Sequence, residues 1–427
     1  MAEQIATLPY GVGRASARWK LLVAFLAGIA ILGWYGWYLE IRRGMIVTGL
    51  RNIGPMGGAT WGFDVGFVVY WAGVSFAGIT MAAVIRIAKL RQLRPIARMA
   101  EALTVVALIL ATFAIMYDLG QPFRGIINLF RYARPQSPFF GTFTLVISGY
   151  LFASAVYLYL DGRRDAAICA RTPGRLQWFH RLWAAGYRDT PLERERHERA
   201  GFWLAVAIVP LLVTANATLG FVFGLQVGRP GWYSALQAPA FVLLAGVSGI
   251  GMLIGIAAVV RRTVADGERL SDDVFRWLGN ALMFLLLGYL YFMVVELLTN
   301  VYTGSERERE VTAALLSGRY AWIYWGSVAL FVIPLALLIV RYFRRGGGLA
   351  TLVASGIMVN LAAIGKRFLI VVPSQTHGTL LPYGTGSYVP TWVEWAEMAG
   401  LFAFGALLLA LFAKLFPIMP IGERDDA

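Results

Sequence analysis

The chain has 427 residues, of which 58% are hydrophobic and only 15% charged, and its mean hydropathy is +0.64. A soluble globular chain carries about a quarter charged residues, so this composition excludes that class. The net charge of +14 fits the basic loops that flank membrane helices rather than a nucleic-acid surface.

Ten apolar runs are long enough to cross a bilayer as helices. They are Trp19–Leu39, Phe63–Ile85, Ala97–Tyr117, Phe139–Leu160, Ala200–Phe221, Ala235–Val260, Trp277–Leu297, Tyr320–Val340, Leu349–Val372 and Trp395–Phe416. Arg14, Arg18 and Lys20 ahead of the first run look like the start of a leader, but no small-residue cleavage site follows, so it is read as a retained helix. The whole chain, 1–427, then forms one all-α integral membrane domain. Roughly two-thirds of the 38 lysines and arginines fall in alternate connections. That bias of about two to one predicts cytoplasmic N- and C-termini in a bacterial- or archaeal-type cytoplasmic membrane.

Ionisable residues near the ends of the runs are the chemical signal, because charge in hydrocarbon is costly unless paired or used. Asp64 opens the second run, where the helix dipole alone would favour it. Tyr70 follows two turns later. Glu101 lies in the cytoplasmic half of the third run, and Asp118 ends that run within Tyr117-Asp118-Leu119-Gly120-Gln121-Pro122-Phe123-Arg124. Arg124 is one turn beyond and offers Asp118 an ordinary helix-end ion pair; a proton-accepting role for Asp118 is the other reading. The polar segment 161–199 mixes Arg, Glu and Trp and predicts a short amphipathic helix on an anionic lipid surface. Gly224 to Tyr233, with Arg229, reads as a rigid turn with belt aromatics. Glu296 closes the seventh run. Lys366 and Arg367 interrupt the ninth, where snorkelling explains one base more easily than two. His377 and Glu394 sit in the last outer loop.

Runs two to five and six to nine have the same orientation pattern, with Asp118 and Glu296 at matching ends. This predicts two four-helix bundles with the first and tenth helices outside them. Of the three histidines, none falls inside a run, so two helix-borne ligands for a membrane-embedded haem are lacking. Cys169, the single cysteine, excludes a disulfide framework and a cysteine-held cluster within this chain.

Four stretches, in order, carry a resemblance: Asp118-Leu-Gly-Gln-Pro-Phe-Arg124, Ser137-Pro-Phe-Phe-Gly141, Gly228-Arg-Pro-Gly-Trp-Tyr-Ser234, and the closing Lys366 to Pro373 with Ser387 to Glu394. Together they resemble the NrfD/PsrC family of polysulfide-reductase-type membrane subunits. Within it they resemble the ten-helix branch that includes DsrP/HmeB-type subunits and the membrane subunits of alternative complex III. The resemblance implies a quinone/quinol oxidoreductase subunit of a respiratory complex, using menaquinone or ubiquinone and binding no haem or metal of its own. It implies a ferredoxin-like iron–sulfur subunit docked on the outer face, and beyond it a molybdopterin or multihaem cytochrome partner. Quinol oxidation releases protons, so a site needs a base near the quinone oxygen within a mostly apolar cleft. Asp118 and Asp64 are the candidate catalytic residues, and Tyr70, Tyr117, Arg124 and Arg229 the candidate quinone-binding ones. Glu101, Glu296 and Lys366 would serve a proton path. Some relatives carry a histidine in the second helix where this chain has Ser75-Phe76, so that role passes to Asp118 or Asp64. The alternative is a structural or proton-conducting subunit with quinone chemistry in a sister subunit.

Overall fold

The computed structural model describes residues 8–52, 61–132, 134, 136, 144–264, 266–344, 348–377 and 386–421. The Ser137–Gly141 stretch and the middle of the last long loop (378–385) lie outside them. The described helices are α1 (Ala17–Arg43), α2 (Phe63–Ile87), α3 (Arg94–Asp118), α4 (Pro122–Tyr132), α5 (Thr144–Cys169), α6 (Gln177–Ala184), α7 (Pro191–Gly224), α8 (Gln237–Thr263), α9 (Asp272–Tyr302), α10 (Glu306–Leu316), α11 (Ala321–Arg344), α12 (Leu349–Thr376) and α13 (Trp392–Leu415). Ten of them, all except α4, α6 and α10, are long and apolar enough to span a membrane. The chain is therefore an all-α, multi-pass membrane protein. In hydrocarbon the backbone must satisfy its own hydrogen bonds, and uninterrupted helices do so.

Local chemistry sets where these helices start and stop. Ser16 Oγ accepts the Trp19 N–H (3.2 Å) at the head of α1, and capping boxes open α7 (Thr190 with Glu193) and α13 (Thr391 with Glu394). After Asp118 the chain turns through Gly120, whose φ of +60° suits only glycine well. Pro122 then begins α4 at the position where its missing N–H costs nothing.

The burial pattern makes α2 the axis of the molecule. Its apolar stretch is 89% buried, against 17% for α1 and 28% for α13. α2 packs on α3, α7, α8 and α12, while α5 bridges α3 and α7. α8, α9, α11 and α12 pack around one another, and α1 lies along α13, which reaches α3. The contacts of α2 and α7 with α8 are as extensive as several within either set, so packing alone does not divide the spans into two bundles. Small residues permit the closest approaches. A Cβ on Gly33 of α1 would stand 2.8 Å from the Cα of Gly400 on α13.

The two ends of the bundle differ sharply. One end, here the basic end, is tied by Arg98 of α3, which is 1% exposed. Its Nη2 donates to Asp161 Oδ2 (2.8 Å) and Asp165 Oδ2 (3.1 Å) on α5. Arg86 of α2 pairs with the same Asp161. α6 packs here too: a His180 ring nitrogen lies 3.0 Å from the Leu415 carbonyl, and Trp183 packs on Phe416. Burial holds the His180 imidazole below its ordinary range, the Leu415 hydrogen bond opposing.

Candidate functional site

The other end gathers carboxylates from four helices. Glu40 comes from the last turn of α1, Asp64 from the first turn of α2, Asp118 from the end of α3, and Glu394 and Glu397 from the start of α13. Glu40, Glu394 and Glu397 are 0% exposed and Asp64 1%. Oxygens of Glu40, Asp64 and Glu397 lie within 4.8 Å of one another. Among the described residues no other group donates to either oxygen of Glu40 or Glu397, or to Asp64 Oδ1 or Asp118 Oδ1, all of them buried; Glu40 and Glu397 have only each other within hydrogen-bonding reach. Among the described residues no ion pair reaches any of the five acids.

Glu394 differs from its neighbours because it is fully engaged. Its Oε2 accepts the N–H groups of Thr391 (2.7 Å) and Gly49 (2.8 Å), and its Oε1 accepts the Tyr388 hydroxyl. Tyr388 Oη in turn accepts the Phe63 N–H (2.8 Å), which fixes the head of α2 beside Asp64. Burial, and then the Glu394 carboxylate, push the Tyr388 hydroxyl up, so it stays a donor. The neighbouring backbone of Gly62 hydrogen-bonds Asp118. Glu394 and Tyr388 thus brace the head of α2, beside the gathered oxygens of Glu40, Asp64 and Glu397.

Buried carboxylates this close and without a base cannot all carry charge, so the group holds protons or a cation. Three oxygens at this spacing are enough to begin a hard-cation site. They are equally the geometry of carboxyls that share protons. Aromatic rings enclose the group: Tyr117 packs on Trp37 of α1 (centroids 5.3 Å) and on Phe113. The indole N–H of Trp37 is also buried and unpartnered. An amphiphile with an apolar ring and hydroxyl or carbonyl oxygens suits such a lining, since it would meet both the orphaned acceptors and the orphaned donor.

The structure brings some of the sequence-derived candidates together and separates others. Asp64, Tyr117 and Asp118 meet in this group. Tyr70 lies deeper, and its hydroxyl donates to Asn360 Oδ1 on α12 (2.7 Å). Arg124 is exposed on α4 and forms no ion pair with Asp118 among the described residues. Arg229 sits over Trp232 (6.0 Å), and Trp232 stacks on Trp61 (5.6 Å) near the head of α2. Glu296 and Lys366 pair with each other (3.0 Å) between α9 and α12, with Gln237 donating to the same carboxylate (3.1 Å). Glu101 is at the basic end beside Arg98 (3.8 Å), in the wall of a cavity of about 640 Å³.

Glu40 and Glu397 were not legible as site residues. Glu40 follows the first apolar run and precedes Arg42 and Arg43, which makes it look interfacial. Glu397 does lie inside the last run, in Trp395-Ala396-Glu397-Met398, and an acid among apolar residues was the available signal.

The polysulphide reductase, NrfD family model matches residues 52–378. Over 416 residues the chain is 28% identical to a proposed dimethyl sulfoxide reductase membrane subunit of Halobacterium salinarum, covering 92% of this chain and 90% of that one. It is 24% identical to a selenate reductase subunit of Mesobacillus selenatarsenatis, over 93% of this chain and 94% of that one. It is also 24% identical to the Hdr-like menaquinol oxidoreductase integral membrane subunit of Archaeoglobus fulgidus, over 95% of each.

Proposed function

Because the chain belongs to the polysulphide reductase NrfD family of polytopic membrane subunits, with a membrane role in a redox complex, we propose that it binds quinone or quinol at its acidic end. The observation that carries this reading is the group of buried, base-free carboxylates between α1, α2, α3 and α13, six of whose oxygens no group outside it donates to among the described residues. A bound quinol supplies two electrons, passed to a docked iron–sulfur subunit, and two protons.

In this reading Asp118 Oδ1 and Asp64 Oδ1 take up the protons. Neither oxygen has a competing partner, so each is open to a ligand hydroxyl. Glu40 and Glu397 lie behind Asp64 and hold protons in turn. Tyr117 and Trp37 flank the ligand and keep water from the carboxylates. Tyr70 orients α12 against α2 through Asn360, and Arg229 braces the Trp232–Trp61 stack at the mouth. Arg124, exposed on α4, meets the partner or the headgroup layer. The lysine and arginine bias of the sequence supports an outer position for the acidic end, where the iron–sulfur subunit and, through it, a molybdopterin or multihaem subunit would dock. Likeness to the Archaeoglobus menaquinol oxidoreductase subunit supports menaquinol as the carrier.

Asp118→Asn tests the reading in the assembled complex. Quinol-dependent electron transfer should fall at least about a hundredfold, with the same subunits still assembled. Unaltered turnover would remove Asp118 from the proposal.

A second reading follows from Glu101 at one end and the Glu296–Lys366 pair at the other, which stand as the two half-paths of a proton-conducting subunit with quinone chemistry in a sister subunit. The set α8, α9, α11 and α12 would then be a second bundle repeating α2, α3, α5 and α7. Proton uptake by vesicles holding the complex, lost in Glu101→Gln while quinol turnover continues, is the result this reading requires.

A further inference from the structure

The cavity beside Glu101 lies at the basic end, away from the carboxylate group. It has a volume of about 640 Å³ and is walled by the last turns of α2, the first turns of α3, the end of α5 and the start of α7. Its charge is layered. Arg98, Glu101 and Asp165 at the floor are no more than 3% exposed, and Arg86 and Arg98 are neutralised there by Asp161 and Asp165. Lys89, Arg91 and Arg94 line the cavity too but are exposed. Lys89 and Arg91 form no ion pair among the described residues. Glu198 is an exposed acid lining the same cavity, but Lys89 and Arg91 outweigh it, so the mouth carries surplus positive charge, while Asp161 and Asp165 are paired below it.

Two further features bear on what enters. Ala82, Ile85, Ala97 and Phe202 give the cavity an apolar wall at the level where the apolar runs end. Arg98 Nη1 is buried with no hydrogen-bond partner, a donor that a ligand oxygen or a bridging water must meet. The orphaned Glu101 Oε2 beside it needs a donor, and water at the floor supplies one. Between α2 and α3 the chain turns at Lys89, which has a φ of 52°, and both Lys89 and Arg91 line the cavity.

We infer that this cavity holds the phosphodiester headgroup of an anionic membrane lipid. Lys89, Arg91 and Arg94 contact the phosphate, the apolar wall takes the first methylenes of the acyl chains, and water links the phosphate to Arg98. A basic pocket between membrane helices, at the depth of the headgroups, matches such a ligand in both charge and polarity. The inference is independent of quinone binding at the other end.

The test is native mass spectrometry of the full chain in neutral detergent, given phosphatidylglycerol and phosphatidylcholine in equal amounts. One phosphatidylglycerol should be retained in preference to phosphatidylcholine, and Lys89→Glu with Arg91→Glu should weaken that retention about tenfold or more. Arg262→Glu, an exposed base in the last turn of α8 at the same end, should leave it unchanged. Should the double variant not fold, Lys89→Gln and Arg91→Gln singly carry the test, each weakening retention several-fold. Equal retention of the two lipids, equal loss in Arg262→Glu, or displacement of the lipid by millimolar inorganic phosphate would each overturn the proposal.

Discussion

Glu394 and Glu397 stand one turn apart on α13 and have opposite circumstances. Both oxygens of Glu394 have donors: two backbone N–H groups and the Tyr388 hydroxyl. Glu397 is as deeply buried, yet among the described residues no group other than Glu40 reaches its oxygens. The first is a cap and a brace. The second is chemically open, which is why the proposed proton-holding role falls to it and to Glu40 rather than to Glu394. Tyr70 shows the same distinction. Its hydroxyl donates to Asn360 on α12, and we propose that this bond braces the two helices. Tyr70→Phe should cost about 1–3 kcal/mol of stability by leaving the buried Asn360 oxygen unsatisfied, read as a lower unfolding temperature in detergent. Quinol turnover per assembled complex should be unchanged; a large fall in turnover would put Tyr70 in contact with the ligand instead.

At the scale of elements, the site depends on α1 being pressed against α13, because Glu40 is delivered by one and Glu397 by the other. Their contact rests on Gly33 meeting Gly400. Without side chains there, the backbones approach closely enough for the two carboxylates to share one space. Gly33→Val should force the helices apart, lower the unfolding temperature and reduce quinol turnover together, since Glu40 moves with α1. Gly28 is on the same helix, but a Cβ there meets nothing within 4 Å. Gly28→Val therefore should change neither quantity, and an effect as large as that of Gly33→Val would argue against the packing explanation. The Asp118–Arg124 ion pair, a reading the sequence left open, also fails at this scale among the described residues. Gly120 turns the chain and Pro122 starts a new helix, so Arg124 is carried out to the exposed surface of α4 rather than back over Asp118.

For the molecule as a whole, the contrast between the ends is the governing feature. The basic end pairs its buried charges: Arg98 engages both Asp161 and Asp165 and links α3 to α5. Removing it leaves Asp165 buried without a base among the described residues, while Asp161 keeps only Arg86. Arg98→Leu should destabilise the protein by about 3–5 kcal/mol, measured by thermal or denaturant unfolding in detergent. The acidic end does the reverse, leaving carboxyl groups together without a base among the described residues, an arrangement that costs stability and is characteristic of functional sites. Arg98→Leu should accordingly lower the amount of folded protein more than the turnover of what remains.

The sequence by itself determined the class of this protein. Ten apolar runs of spanning length permit only helices in a bilayer, because the backbone there has no other way to satisfy its polar groups. It also pointed to Asp64 and Asp118, since an acid that interrupts or ends an apolar run is conspicuous in one dimension. Lys366 was conspicuous for the same reason. What it could not reveal was which ionisable groups share a space. Glu40 and Glu397 lie at opposite ends of the chain, and their encounter is made by the lateral packing of α1 on α13 beside α2. Lateral packing in a membrane is set by where small residues let helices approach, and that choice leaves only a weak trace in the order of residues. Glu296 with Lys366, Tyr70 with Asn360, and the cavity above Arg98 were likewise decided by the tertiary structure alone.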